Sequence, residues 1–190
     1  MITPKFSLSS HHFLIIVFSC ANRFSSRLLV FSSILSGVAS IVNPFKLLTI
    51  SSVNTLSSPN SPEEYQRLLN TVEDKKLDAI FLTHHHPDHH QFSNQLARQL
   101  KLPIILSQDT QQRLTKKNGA DYFEQVELRN VTENEEVTRW RGFAVRVYEI
   151  PGHDAGHLGL APDSLVWFIV GDLIQGIGTV VIPSPEGDMA

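Results

Sequence analysis

Thr83-His84-His85-His86-Pro87-Asp88-His89 follows directly on a short, mostly apolar run, Leu77-Asp78-Ala79-Ile80-Phe81-Leu82. The run has the length and character of a buried strand. Ligands placed straight after such a strand are held rigidly at a sheet edge. His84 and His86 are two apart, so on an extended chain they project to one side. His85 projects to the other side and is read as a non-ligand. Asp88 and His89 follow where the chain turns after Pro87. Neutral imidazole and carboxylate suit zinc, and a group of this size can hold two ions. A solvated His-rich tract would bind metal loosely and would need no particular neighbours. The strand before the cluster, Thr83 at its start and the Asp inside it favour an organised site.

Working outward, the pattern of strand then ligand recurs twice. Phe143 to Ile150 alternates as a strand and leads into Pro151-Gly152-His153. Val166 to Val170 is apolar and ends at Gly171-Asp172. Between and around these lie ordinary elements. Ser61-Pro62-Glu63-Glu64 is a helix start, with Ser as cap, Pro at the first position and Glu three after the cap. Tyr65, Leu68, Leu69 and Val72 then give that helix one apolar face. Gln91 to Leu100 reads as a helix, with His90 as its first residue, and Pro103 to Leu106 reads as a strand. Asp109 to Lys117 reads as a helix stopped by Asn118-Gly119, and Thr179 to Ile182 as one more strand.

Three of these segments together resemble a known family. His84-x-His86-x-Asp88-His89, preceded by Thr83, resembles the HxHxDH signature of the metallo-β-lactamase superfamily. Pro151-Gly152-His153-Asp154-Ala155-Gly156-His157 is similar to its PGHTxGH segment, with Asp154 where that pattern has Thr. Phe168-Ile169-Val170-Gly171-Asp172 is similar to its strand ending in Gly-Asp. The resemblance covers about residues 62–188 and implies an α/β fold, the αββα sandwich of that family, truncated at both the first and last strands. It implies two zinc ions, with iron or manganese as substitutes. His84, His86 and His153 would hold the first ion, Asp88 and His89 the second, and Asp172 would bridge both. A hydroxide held between the metals would attack an ester, thioester, lactone or phosphodiester of a small-molecule substrate. Asp88 would also orient that hydroxide or carry a proton. His157 is read as a residue that supports the ligands. No histidine follows His157, so a seventh ligand that the family places later in the chain is not found. His90-Gln91 stands where many relatives have small residues, which points away from the glyoxalase II branch.

Composition divides the 190 residues unevenly. Residues 1–60 hold four basic residues and no acid; the remaining 130 hold 12 basic and 19 acidic residues, a net charge of −7. We therefore expect two units, an atypical Ser/Phe-rich basic segment over 1–60 and a partial hydrolase-like domain over 61–190. The first segment reads as a targeting sequence, an anchor or a disturbed reading frame. Its Leu28 to Phe45 stretch lacks charge but contains four serines and Pro44, which weighs against a membrane span. Ser51 to Ser61 reads as a loop. The acidic balance weighs against a nucleic-acid partner, since such surfaces are usually basic. A single cysteine, Cys20, excludes an intramolecular disulfide. The expected compartment is the cytoplasm, or an organelle or the exterior if residues 1–60 are a targeting segment. An inactive fragment of such an enzyme and a metal-dependent ribonuclease are the competing functional readings.

Overall fold

The run before the histidine cluster is strand β4 (Ala79–Leu82), and all four of its residues are buried. It belongs to a six-stranded sheet, in the order β2 (Leu48–Ile50), β3 (Val53–Leu56), β1 (Ile15–Phe18), β4, β5 (Ile104–Leu106) and β6 (Leu128–Asn130). Within it β2 and β3 pair antiparallel and every other neighbouring pair is parallel. This computed structural model describes residues 15–18, 48–50, 53–56, 58–73, 75, 77–174, 180–182, 184–185 and 187. The Leu28 to Phe45 stretch, Cys20 and Thr179 lie outside the described residues. Among the described residues no helix is long and apolar enough to cross a membrane.

Strand periodicity then builds the layers. Ala79 and Phe81 point to one face of β4 and join a core with Ile105 and Val131. That core is completed by a second, antiparallel sheet of β7 (Glu136–Trp140), β8 (Phe143–Glu149) and β9 (Leu158–Pro162), which contributes Val137, Trp140, Val145, Val147, Leu158 and Leu160. Ile80 and Leu82 point to the opposite face and meet the helices. These are α1 (Pro62–Val72), with Tyr65, Leu68 and Val72 buried, α3 (Ser93–Leu100), with Leu96 and Ala97, and α4 (Gln108–Asn118), with Leu114. The order helices, large sheet, small sheet supplies three layers of the αββα sandwich.

The helix start read at Ser61 is realised. Ser61 Oγ accepts from the amide of Glu64 at 3.2 Å, and Glu64 Oε2 accepts from the amide of Asn60 at 2.7 Å. Ser107 caps α4 in the same way, accepting from the Thr110 amide at 3.0 Å.

Several expectations are corrected. Val53–Leu56, inside the stretch read as a loop, is a strand held by β1 on one side and β2 on the other; pairing on both edges outweighs its weak local propensity. Val166 to Val170 is not a ladder strand. It makes one antiparallel bridge, Leu160 to Ile169, and Asp172 lies in a 3-10 turn, Gly171–Leu173. Of the strand read over Thr179 to Ile182, the described residues 180–182 take no strand conformation. His90 does not open a long helix; it closes a one-turn helix, α2 (Pro87–His90), and Phe92 in the left-handed region separates that turn from α3. The strand β9 was not read from the sequence because Gly159 and Pro162 depress its propensity. A Cβ at Gly159 would stand 2.7 Å from both the Ile169 carbonyl oxygen and Phe168 Cε2, so the small residue admits the neighbouring segment.

Candidate metal centre

Three chain segments converge beyond the end of β4. The first is Thr83 to His90, the second the loop between β8 and β9, and the third the turn at Gly171. The first two are tied at their base, where the Leu158 amide donates to the Thr83 carbonyl at 2.8 Å.

Nitrogen atoms meet at the centre. His84 Nε2 lies 2.9 Å from His86 Nδ1, and His153 Nε2 lies 2.8 Å from the same atom. The opposite ring nitrogens of His153, His84 and His89 are held by the protein. His153 Nδ1 donates to the carbonyl of Val181 at 2.5 Å. Thr83 Oγ1 lies 3.1 Å from His84 Nδ1 and 3.1 Å from His89 Nδ1. A ring whose Nδ1 carries the proton presents the Nε2 lone pair to the other side. His84 Nε2, His86 Nδ1 and His153 Nε2 face one point, and the three residues satisfy the spacing for one ion. Burial pushes the pKa of His84 far below its ordinary value, and the neighbouring rings of His89, His157, His86 and His153 push it further. The ring is neutral, as a metal ligand must be.

A second group shares His84 and adds His89 and Asp172. Asp172 Oδ1 is 3.3 Å from His89 Nε2, and Asp172 Oδ2 is 3.7 Å from His153 Nε2, so one carboxylate faces both groups. Burial raises the Asp172 pKa, but the bond from His89 and the nearby His89, His153 and His157 rings outweigh it and hold the carboxyl below its usual range. Asp88 stands at the rim. Its carboxylate is 3.8 Å from His89 Nε2, its side chain is 47% exposed, and it falls in neither group. Five of the six residues read as ligands are thus brought together in two groups, with Asp88 beside them.

Two features escaped the sequence reading. His85, read as a non-ligand, makes a contact of its own: its Nδ1 lies 2.6 Å from Asp154 Oδ2, with both side chains buried. Asp154 Oδ1 also accepts from the Gly156 amide at 2.8 Å. Burial raises the pKa of Asp154, yet the contact and charge of His85 and the Gly156 amide outweigh it, so the carboxyl sits below its ordinary value. His85, His86 and Asp154 form a third cluster with metal-like spacing, in which the short His85–Asp154 contact already occupies a ligand atom of each partner. The available signal was Asp154 standing where the family pattern has Thr. The second feature is His157. It is buried against His84, with ring centroids 4.6 Å apart, and neither ring nitrogen has a hydrogen-bond partner among the described residues. Its pKa is lowered to about 4, chiefly by burial. It packs on Gly171, where a Cβ would lie 2.2 Å from His157 Nε2.

A family model described as the metallo-β-lactamase superfamily matches residues 55–190. The chain belongs to that superfamily. Among curated proteins this metallo-β-lactamase-fold chain is 32% identical over 119 residues to a hydroxyacylglutathione hydrolase of Wigglesworthia glossinidia brevipalpis. It is 29% identical over 119 residues to a protein of the same name from Bdellovibrio bacteriovorus. Each match covers 62% of this chain, and the chain spans about two fifths of those relatives, 41% and 43% of their length. This similarity runs against the reading that His90-Gln91 points away from the glyoxalase II branch. Among solved structures, TTHA1623 in a di-iron-bound form matches with a TM-score of 0.52 at 25% identity, covering 68% of this chain and 66% of that one. A beta-lactamase domain protein from Burkholderia ambifaria matches with a TM-score of 0.55 at 18% identity, covering 66% and 46%, and shows the shared fold.

Proposed function

We propose that the two groups at the end of β4 form a dinuclear metal site and that the chain is the core of a metal-dependent hydrolase. The observation that carries this is the convergence of His84 Nε2, His86 Nδ1 and His153 Nε2 at 2.8–2.9 Å, with Asp172 facing both groups. The donor set fits a borderline-soft divalent ion. It comprises imidazoles, those of His84, His89 and His153 with the opposite ring nitrogen held by the protein, together with carboxylate oxygen. His84, His86 and His153 would hold the first ion, His89 and Asp88 the second, and Asp172 both. Zinc is the ion this donor set favours; iron is the alternative, as in the di-iron form of the related structure. When bound, such ions supply Lewis-acid activation and acidify water toward neutral pH.

The chain's own residues do the rest. The Val181 carbonyl fixes the tautomer of His153, and the Thr83 hydroxyl holds Nδ1 of both His84 and His89. Buried His89 and the half-exposed Asp88 set the inner and outer edges of the site. Asp88 is the carboxylate that meets solvent, and it is placed to take up or hand on a proton at the mouth. The bond we assign to this site is the thioester of a hydroxyacylglutathione, following the name of the curated relatives.

The test is hydrolysis of a hydroxyacylglutathione thioester and of a model phosphodiester by the zinc-loaded chain, His84→Ala and Asp172→Ala. Thioester turnover that falls by about 100-fold or more in both variants is the expected result, since each removes a primary ligand. Retained turnover in both variants would sink the mechanism, and preferential phosphodiester cleavage would replace the substrate class.

A further inference from the structure

We infer that the buried His85–Asp154 pair is a positioning device that sets the spacing of the first metal group, an inference that rests on the ligand assignment above. The first group is assembled from two loops, since His84 and His86 follow β4 while His153 follows β8. Its geometry therefore depends on how those loops are locked together. Apart from contacts that involve the histidines of the first group themselves, two ties are seen among the described residues. One is the backbone bond from Leu158 to Thr83 at the base. The other is His85 Nδ1 to Asp154 Oδ2 at 2.6 Å, and it joins the residue between His84 and His86 to the residue after His153.

Chemistry and surroundings support the pairing. The 2.6 Å approach of His85 Nδ1 to the Asp154 carboxylate is a buried ion-pair contact and not a well-aligned hydrogen bond. The pair is also anchored behind. Asp154 Oδ1 takes the Gly156 amide, and the Gly156 carbonyl accepts from Ser107 Oγ at 2.8 Å, at the start of α4. Gly156 has no room for a side chain, because a Cβ there would lie 2.6 Å from Asp109 Oδ2. The loop carrying His153 is thereby pressed between the β4 end and α4, with His85 gripping its near side. The alternative use of these atoms, a separate ion held by His85, His86 and Asp154, would need to break the 2.6 Å contact and to take His86 from both sides.

The experiment compares His85→Ala, Asp154→Ala, the milder Asp154→Asn and the double Ala variant as full chains. Stepwise zinc affinity is measured by chelator competition, the cobalt-substituted absorption spectrum is recorded, and the metal-free chains are melted separately. Asn at 154 still accepts from the Gly156 amide and guards against simple misfolding. The expected result is a 10- to 100-fold loss of affinity at the first group, typical of removing a partner behind a ligand, with about threefold or less at the second. The cobalt spectrum of that group changes, and the double variant loses little more than either single. A purely structural pair would lower the melting temperature of the metal-free chain and leave the affinity of the folded chain unchanged; that outcome overturns the inference. Failure of the unmodified chain to take up metal would overturn the ligand assignment and this inference with it.

Discussion

Thr83 and Gly171 bracket the site and show what a single residue contributes. Both stand in segments that the sequence singled out, yet the reason for each becomes visible only in three dimensions. One hydroxyl at Thr83 lies 3.1 Å from two different imidazoles, a coincidence of two rings that no spacing rule contains. Gly171 has φ +50°, in the left-handed region, and its missing side chain leaves the space into which His157 fits. Replacement by alanine would bring a Cβ within 2.2 Å of His157 Nε2. We expect Gly171→Ala to cost about 1–2 kcal/mol from the left-handed backbone alone, plus the displacement of His157, read as a lower urea midpoint. The variant should also weaken metal uptake, because Asp172 is the next residue. The candidate ligands were legible through the family resemblance; alternation on an extended chain accounts only for His84 and His86 sharing a side, and Asp88 and His89 lie in the helical turn α2. The His85–Asp154 pair was not, because its members are 69 positions apart.

Elements with a clear period were legible, and those defined by their neighbours were not. β4 is a short apolar run with both faces buried, α1 carries a cap and an i, i+3, i+7 apolar face, and β8 alternates; each formed where its pattern placed it. β9 and the bridge at Ile169 instead depend on each other. Leu160 and Ile169 exchange both backbone hydrogen bonds, and Gly159 makes room for the crossing. β4 gives the sharpest test at this scale. Phe81 is fully buried in the core between the two sheets and sits three residues before His84. Phe81→Ala should destabilise by about 3–5 kcal/mol. Ser61→Ala, which removes only the α1 cap, should cost about 0.5–2 kcal/mol. Chemical denaturation of the two variants checks the order, and a cap loss that rivals the core loss would contradict the assignment of β4 as the central packing element.

At the scale of the whole molecule, charge and fold divide the chain differently. The acid-free first sixty residues read as an atypical unit of their own, yet β1, β2 and β3 come from that segment and pair in the same sheet as β4. Backbone pairing is indifferent to composition, so a charge boundary is not by itself a structural one. What composition could not show is how the site joins the layers. Its proposed ligands come from the end of the large sheet, from the loop entering the small sheet and from the Gly171 turn. An ion held by all three cross-links segments that unfolding would separate, and an ion that binds the folded chain alone stabilises it by mass action. At a free zinc concentration about 100 times the dissociation constant, the gain is about 2.7 kcal/mol. For a chain of this size that corresponds to a rise in melting temperature of about 5–10 °C. We expect calorimetry to show this rise on adding zinc to the chelator-stripped chain and its reversal on chelation. The rise should be lost in His86→Ala, whose Nδ1 is the atom nearest to both of the other first-group nitrogens. An equal rise in that variant would place the stabilising ion elsewhere on the molecule and remove the basis for the dinuclear site.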